Sequence, residues 1–244
     1  MQASFFSESL FKRLSKVSSM QEDSRKLIIL LGLLGDFDSL EYGQLLALNL
    51  SQLENKNIKT LLIGIGSEES SNRFSSFTGF PRDSLIVEKT NSLHLSLGLS
   101  PGLQLTNNSY INLLLMCMGF GSPGTIHEVI RGYVGDLYSN QRIFYRNKGG
   151  DPFLPFLQPK FFSLVFGDGY LRPFELATVR LMNMIEVLSN WNLYMFNKDY
   201  LTQRGATYFL ETDNSVLYSY KSKALLDFTE SKGKPLSFLN RFIS

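Results

Sequence analysis

A chain of 244 residues, 43% of them apolar, can bury a substantial core and suits one large domain or one domain with an insertion. Its formal charge of +2 gives no reason to expect a nucleic-acid partner or an acidic surface. The single cysteine, Cys117, excludes an intrachain disulfide and a dithiol cycle within one chain.

The first residues, MQASFFSESLFKRLSKVSS, alternate apolar and polar groups and lack a continuous hydrophobic region, so no secretory signal is expected. Phe6, Leu10, Phe11 and Leu14 form a short amphipathic helix pattern instead. Residues 1–24 therefore read as an N-terminal segment docking on a body of residues 25–244, with a Ser-rich organelle transit piece as the alternative. Lys26–Leu34 is a buried strand, a short apolar run ended by Gly35. Ser39–Glu54 is a helix whose apolar face holds Leu40, Leu46, Leu50 and Leu53. Lys59–Ile65 is a second buried strand. Ser67–Phe77 is a helix opening on a capping pattern of Ser67 and Ser70 near Glu68 and Glu69. Leu85–Glu88 is a short strand, and Asn91–Leu97 a short helix stopped by Gly98. Strands alternating with helices at this spacing predict parallel pairing with right-handed crossovers.

From about residue 100 to 200 the pattern changes to a long helical insertion. The run INLLLMCM before Gly119 can be a strand. A Pro- and Phe-rich loop, GDPFLPFLQPKFF, precedes a strong helix, RPFELATVRLMNMIEVLSNW. Phe174, Ala177, Leu181, Met184 and Leu188 fall on one face of that helix and are expected to face the core. Ala206–Glu211 and Val216–Tyr220 form a β-hairpin turned by Thr212–Ser215, and Ala224–Glu230 is a terminal helix. The longest apolar runs, Leu27–Leu34 and Ile111–Met118, are too short to span a bilayer. A parallel βαβαβ unit finished by an antiparallel hairpin and a helix gives an α/β, thioredoxin-like plan: a central mixed sheet flanked by helices.

Several constellations carry possible chemistry. Gly119–Gly124 spells G-x-G-x-x-G before a helix, but Glu128 and Asp136 come too early and Asp151 rather late for the ribose acid. Pro123 also removes a backbone N–H where phosphate would sit, so a Gly/Pro turn starting a helix near Ser122 or Thr125 is preferred over nucleotide binding. Cys117 lies between Met116 and Met118 with no basic neighbour in sequence, and reads as a small buried hydrophobe rather than a reactive thiol. The two histidines, His94 and His127, make no metal pattern with it. Arg131 and the Arg172–Glu175 pair either form helical ion pairs or line a pocket for an anion. Arg204 precedes the strand that opens the hairpin. In the proposed sheet its position lies beside the end of the first strand, so Arg204 is expected to approach the Asp36–Ser39 turn. In that turn Asp38, with Glu41 three residues on, is expected to cap the following helix while Asp36 adds negative charge at its N-terminus.

The segments LGDFDSLEYGQLL, LLIGIGSEES…RFSSFTGFP, LHLSLGLSPGL, GSPGTIHEVIRGYVGD, GYLRPFELATVRLMNM and QRGATYFLE…VLYSY together resemble the peroxiredoxin-like branch of the AhpC/TSA group, in its cyanobacterial and plastid version. The resemblance covers residues 25 to 240 in family order. It implies a thioredoxin-like fold, an antioxidant or oxidoreductase label, and a bacterial cytoplasm or plastid stroma. Many relatives carry C-x-x-C at the end of the first strand; laid on this chain, those positions become Asp36 and Ser39. Arg204 resembles the arginine that true peroxiredoxins carry before a late strand. Thiol peroxidase chemistry needs a thiolate at a helix N-terminus, and neither residue supplies one. The leading expectation is therefore a redox-inactive binding module without cofactor or metal, using the turn at Asp36, Asp38 and Ser39, Arg204, Arg131 and Arg172 toward a protein partner or a small anionic ligand. The alternative is a one-cysteine peroxidase built on Cys117 with an external reductant.

Overall fold

The computed structural model describes residues 8–15, 17, 20, 23–135 and 175–243. Two apolar runs set its centre. Strand β1, Arg25–Leu33, is buried at every position after Arg25, and pairs in parallel with β2, Ile58–Ile65, through Ile28↔Leu61 and Leu30↔Ile63. Both faces of these strands are covered, which is why they read as continuous hydrophobic runs rather than alternating ones. Strand β3, Leu85–Glu88, extends the parallel set beside β2. On the other side β4, Ala206–Leu210, runs antiparallel to β1 with Ile28 opposite Tyr208, and β5, Val216–Lys221, closes the hairpin. The order β3-β2-β1-β4-β5 makes one mixed sheet, and the fold is thioredoxin-like.

One face of the sheet is covered by α1, Glu8–Leu14, whose Leu10 and Leu14 pack with Ile28, Leu30 and Tyr208. Beside it α4, Ser92–Ser96, buries His94, with Nε2 2.6 Å from the Leu31 carbonyl. The opposite face is covered by α2, Phe37–Glu54, which sets Leu40, Leu46 and Leu53 against Leu27, Ile29 and Leu31. Next comes α3, Glu68–Thr78, opened by a reciprocal cap: Ser70 N–H donates to Ser67 Oγ at 3.1 Å and Ser67 N–H to Ser70 Oγ at 2.8 Å. The expected capping pattern of Ser67 and Ser70 is present.

Between β3 and β4 lie α5, Ser109–Cys117; α6, Thr125–Val134; α7, Glu175–Ser189; and the single turn α8, Trp191–Tyr194. Three expectations fail in the chain beyond β3. INLLLMCM is helical, because Asn108 Oδ1 accepts the N–H groups of Tyr110 and Ile111 and nucleates a run rich in Leu and Met, both good helix formers. The apolar stripe of α7 points outward: Leu181, Met184 and Leu188 are 55%, 47% and 63% exposed. The buried side of α7 holds Leu176 and Val187 together with Asn183 and Glu186, whose polar ends are satisfied by Gln44 at 3.0 Å and by Arg73 at 2.6 Å. Satisfied polar groups can take the inside of a helix, so apolar spacing alone chose the wrong face. Phe174 lies outside the described residues. Finally, Ala224–Glu230 is not a helix. Leu226 has φ of +57°, and its N–H donates to Asp38 instead of to a helical carbonyl. A short helical turn follows at Ser237–Arg241.

Candidate functional site

The chain leaves β1 at Leu33 and turns sharply. Gly35 is required here, because a Cβ at this position would stand 2.3 Å from Tyr194 Cβ. Asp36 then caps α2: its Oδ1 accepts the Asp38 N–H at 3.2 Å. The cap is therefore Asp36 rather than Asp38. Asp38 sits inside the first turn, only 2% exposed, and turns its carboxyl toward the end of the sheet.

Arg204 meets it there. Because β4 runs antiparallel to β1 with Ala206 opposite Leu30, residues just before β4 lie beside residues just after β1. Gly32 permits the approach, since a Cβ there would lie 2.6 Å from the Gln203 carbonyl oxygen. Arg204 is 3% exposed and spends its donors on the protein. Its Nε donates to Thr202 O at 2.8 Å, Nη1 lies 3.3 Å from Asp38 Oδ2 and 3.4 Å from Ala224 O, and Nη2 lies 3.5 Å from Asp36 Oδ2. The carboxylate contacts are long, so they act as ion pairs more than as directional hydrogen bonds. Asp38 Oδ2 also accepts the Leu226 N–H at 2.7 Å, which ties the C-terminal segment to the turn. The expected approach of Arg204 to Asp36 and Asp38 is present, and an incoming anion would find two carboxylates already there.

One guanidinium serves two buried carboxyls. Burial, then the neighbouring Asp36 charge, pushes the Asp38 carboxyl up to about 8, against the lowering pull of Arg204 and the Leu226 N–H. Burial also raises Asp36, opposed by Arg204 and the Asp38 N–H. The pair titrates as a unit. Asp38 Oδ1 is buried without a partner among the described residues, and Asp38 borders a cleft of about 20 Å³ shared with Glu41, Glu128, Arg180 and Lys232. That volume holds about one water. Ser39 is fully buried, and its Oγ has no partner among the described residues. His94, the buried histidine, has Nε2 2.6 Å from Leu31 O and belongs to α4, on the face of the sheet opposite α2 and Ser39.

Cys117 closes α5 and is half-buried. Sequence spacing gave no sign that it belongs to this site, yet its thiol feels the charges of Asp38, Asp36 and Arg204. Burial acts first and the two carboxylates next, pushing the thiol up to about 11; Arg204 pulls weakly the other way. The neighbours that decide its chemistry sit about 80 positions away on either side, where no local motif can register them.

The remaining candidates separate from this centre. Arg131 donates from Nε and Nη2 to Glu128 Oε2 at 3.0 and 2.8 Å, an ion pair along α6 with both side chains nearly buried. Arg180, not singled out in the sequence, joins it: Nε donates to Glu41 Oε2 at 2.8 Å and Nη1 to Glu128 O at 2.8 Å. Glu41, Arg180, Glu128 and Arg131 thus form one chain of charges clamping α2, α6 and α7. Arg172 and the side chain of Glu175 lie outside the described ones, as does their expected pairing. Gly119–Gly124 follows a helix and not a strand, so the dinucleotide context is missing. Its glycines at 119, 121 and 124 take φ of +92°, +62° and +79°, and Ser122 Oγ accepts the Leu225 N–H at 2.7 Å. Among the described residues no group of His, Cys, Asp and Glu has the makings of a metal site, and no helix is long and apolar enough to cross a membrane.

The family model described as AhpC/TSA antioxidant enzyme matches residues 44–224. The chain belongs to the AhpC/TSA family. Searches of the curated proteins and of the solved structures return no match. The AhpC/TSA match spans Cys117, Arg131, Arg180 and Arg204 and begins just after the Asp36–Ser39 turn. Family membership thus rests on the body of the fold, including Arg204 and the strand that follows it. The turn beside it is read from topology: it sits at the end of β1 and the start of α2.

Proposed function

We propose that this AhpC/TSA protein is a redox-inactive binding or interaction module that keeps the family scaffold, carries Asp36 and Ser39 at the thiol positions, and holds the Asp36–Asp38 carboxyl pair at the start of α2. The observation that carries this reading is the clamp of Asp36 and Asp38 on Arg204 at 3.5 and 3.3 Å. A peroxidatic step needs a thiolate whose sulfur takes one oxygen of the peroxide, with the second leaving as water. A carboxylate at the helix start has no sulfur to oxidise. The arginine that would lower a thiol pKa there instead faces a carboxyl pair. With Arg204 buried and facing Asp36 and Asp38, the contact surface is assigned to the helices of the insertion, α5 to α7, and to a protein partner rather than to a small anion. The resemblance to the cyanobacterial and plastid branch supports work in a bacterial cytoplasm or plastid stroma.

A second reading has its own observation: Cys117 lies within the field of Arg204, as a one-cysteine peroxidase would require. The two carboxylates outweigh that pull, which sets this reading second. Steady-state peroxide consumption with dithiothreitol as reductant separates the two. The module gives no rate above reductant alone. A rate that disappears in Cys117→Ser establishes the peroxidase.

A further inference from the structure

At the end of the sheet away from Arg204, strand β1 begins and the β4–β5 hairpin turns. Lys26 stands there opposite Leu210, the last residue of β4. It alternates along β1 with Ile28 and Leu30, so its side chain leaves the sheet on the face covered by α1. A cavity of about 440 Å³ opens beside it, within the size range of small-molecule sites. Phe11 and Leu14 of α1, with Met20, give the cavity apolar walls. Lys26 and, from the hairpin turn, Thr212 and Asn214 give it polar ones.

Lys26 is the unusual member. It is 3% exposed. Among the described residues its Nζ donates to the Ser24 carbonyl at 3.2 Å and forms no ion pair. An ammonium carries three donors, so two are left over. A lysine this buried is ordinarily paired, because an unpaired charge out of water is costly. The buried arginines of the fold, Arg180 and Arg204, each face carboxylates. Ser24 is fully buried as well, and its Oγ has no partner among the described residues.

The walls define what would complete the site. One ammonium balances one negative charge. Asp23 borders the same cavity and opposes a second, which disfavours a phosphate monoester dianion. The apolar walls suit a hydrocarbon body and penalise a sugar or a further charge. Carboxylate oxygens match the ammonium, the Thr212 hydroxyl and the Asn214 amide as donors. We propose that this cavity binds a monocarboxylate with an apolar body, of the class of medium-chain fatty acids. Lys26 is the counter-charge to its head, and Phe11, Leu14 and Met20 enclose its tail. The site goes beyond the reading of the insertion as a contact surface and does not depend on it.

Isothermal titration of the full chain with sodium decanoate, kept below its micellar range, tests this. The expected result is a single saturable site with a dissociation constant below about 1 mM. Decanol has the tail without the charge, and acetate the charge without the tail. Each should bind at least about tenfold more weakly than decanoate. Lys26→Met keeps an apolar stem and removes the charge. It should weaken decanoate at least about tenfold and leave decanol unchanged. Should that variant misfold, the comparison of decanoate with decanol on the wild type decides the same point. Methyl-labelled methionine locates the ligand: the Met20 resonance should move, while Met118 and Met184, exposed on the insertion, should not. Three results overturn the proposal. One is no binding of decanoate up to about 1 mM. Another is equal affinity for decanoate and decanol, or undiminished affinity in Lys26→Met. The third is movement of Met118 and Met184 without Met20, which makes the exposed insertion the site of attachment. None of these outcomes bears on the peroxide assay.

Discussion

Replacing Asp38 by Asn removes one of two carboxyls from a site with a single guanidinium while keeping an oxygen to accept the Leu226 N–H. The Asp38 carboxyl is raised from 3.8 in the unfolded chain to about 8 in the folded protein, first by burial and then by the charge of Asp36. Between these values the folded protein keeps a proton that the unfolded chain has released. The stabilisation is therefore fully present below pH 4 and is lost as pH rises toward 8. One proton of difference sets a limiting slope of about 1.4 kcal/mol per pH unit, so wild type loses up to about 3 kcal/mol between pH 5 and 7 through this pair. Because Asp36 is raised by the same burial, the slope belongs to the two carboxyls jointly. Urea unfolding midpoints at half-unit pH steps, with the denaturant slope held constant, measure it. The difference in stability between Asp38→Asn and wild type should grow in favour of the variant as pH rises from 5 to 7. Parallel curves for the two proteins, or a wild type that gains stability relative to the variant over that range, would refute the assignment of a buried, proton-holding carboxyl pair.

Three further outcomes follow from the same geometry. Cys117, with its thiol pushed up to about 11, should react with iodoacetamide at least about tenfold more slowly than a free thiol at pH 8, and its rate should still be climbing near pH 10. A plateau near pH 8 would place the thiol in an electropositive setting and favour the peroxidase. Arg180→Met removes the cation between Glu41 and Glu128, whose side chains are 9% and 5% exposed, and should cost about 3–5 kcal/mol of stability by chemical denaturation. The double variant with Glu41→Gln should recover part of that loss in a mutant cycle. Gly35→Ala drives a Cβ to within 2.3 Å of Tyr194 Cβ and should cost about 1–3 kcal/mol, with a shift in near-ultraviolet circular dichroism as Tyr194 moves.

The sheet was legible because its signals are local. Runs such as KLIILLGLL and KTLLIGI can hardly be anything but strands covered on both faces, and the hairpin announces itself through Thr212–Ser215. The placement of Arg204 was also legible, since pairing β4 against β1 carries it to the turn whatever the side chains do. The insertion was misread because its interior is polar. Leu181, Met184 and Leu188 obey helical spacing and still face water, while Asn183 and Glu186 go inside to meet Gln44 and Arg73, more than 100 residues away in sequence. Ala224–Glu230 has ordinary helical spacing, and what unmakes the helix is a hydrogen bond from Leu226 to Asp38 at a sequence distance no window covers. The same holds at the site. Cys117 looked inert for want of a basic neighbour. Burial raises its thiol first; an arginine and two aspartates from other elements also act on it, the aspartates in the same direction as burial.

The proposal that Asp36 and Ser39 stand at the thiol positions and leave the chain without thiol chemistry is the centre of the functional reading, and single-turnover oxidation tests it most directly. Reduced protein is mixed with one equivalent of hydrogen peroxide and its intact mass and free thiol are followed over time. The expected result is an unchanged mass and a Cys117 thiol that survives on the timescale of a free cysteine in solution. Rapid loss of the thiol, with gain of one oxygen and recovery by reductant, would contradict it and return the chain to the enzymes of its family.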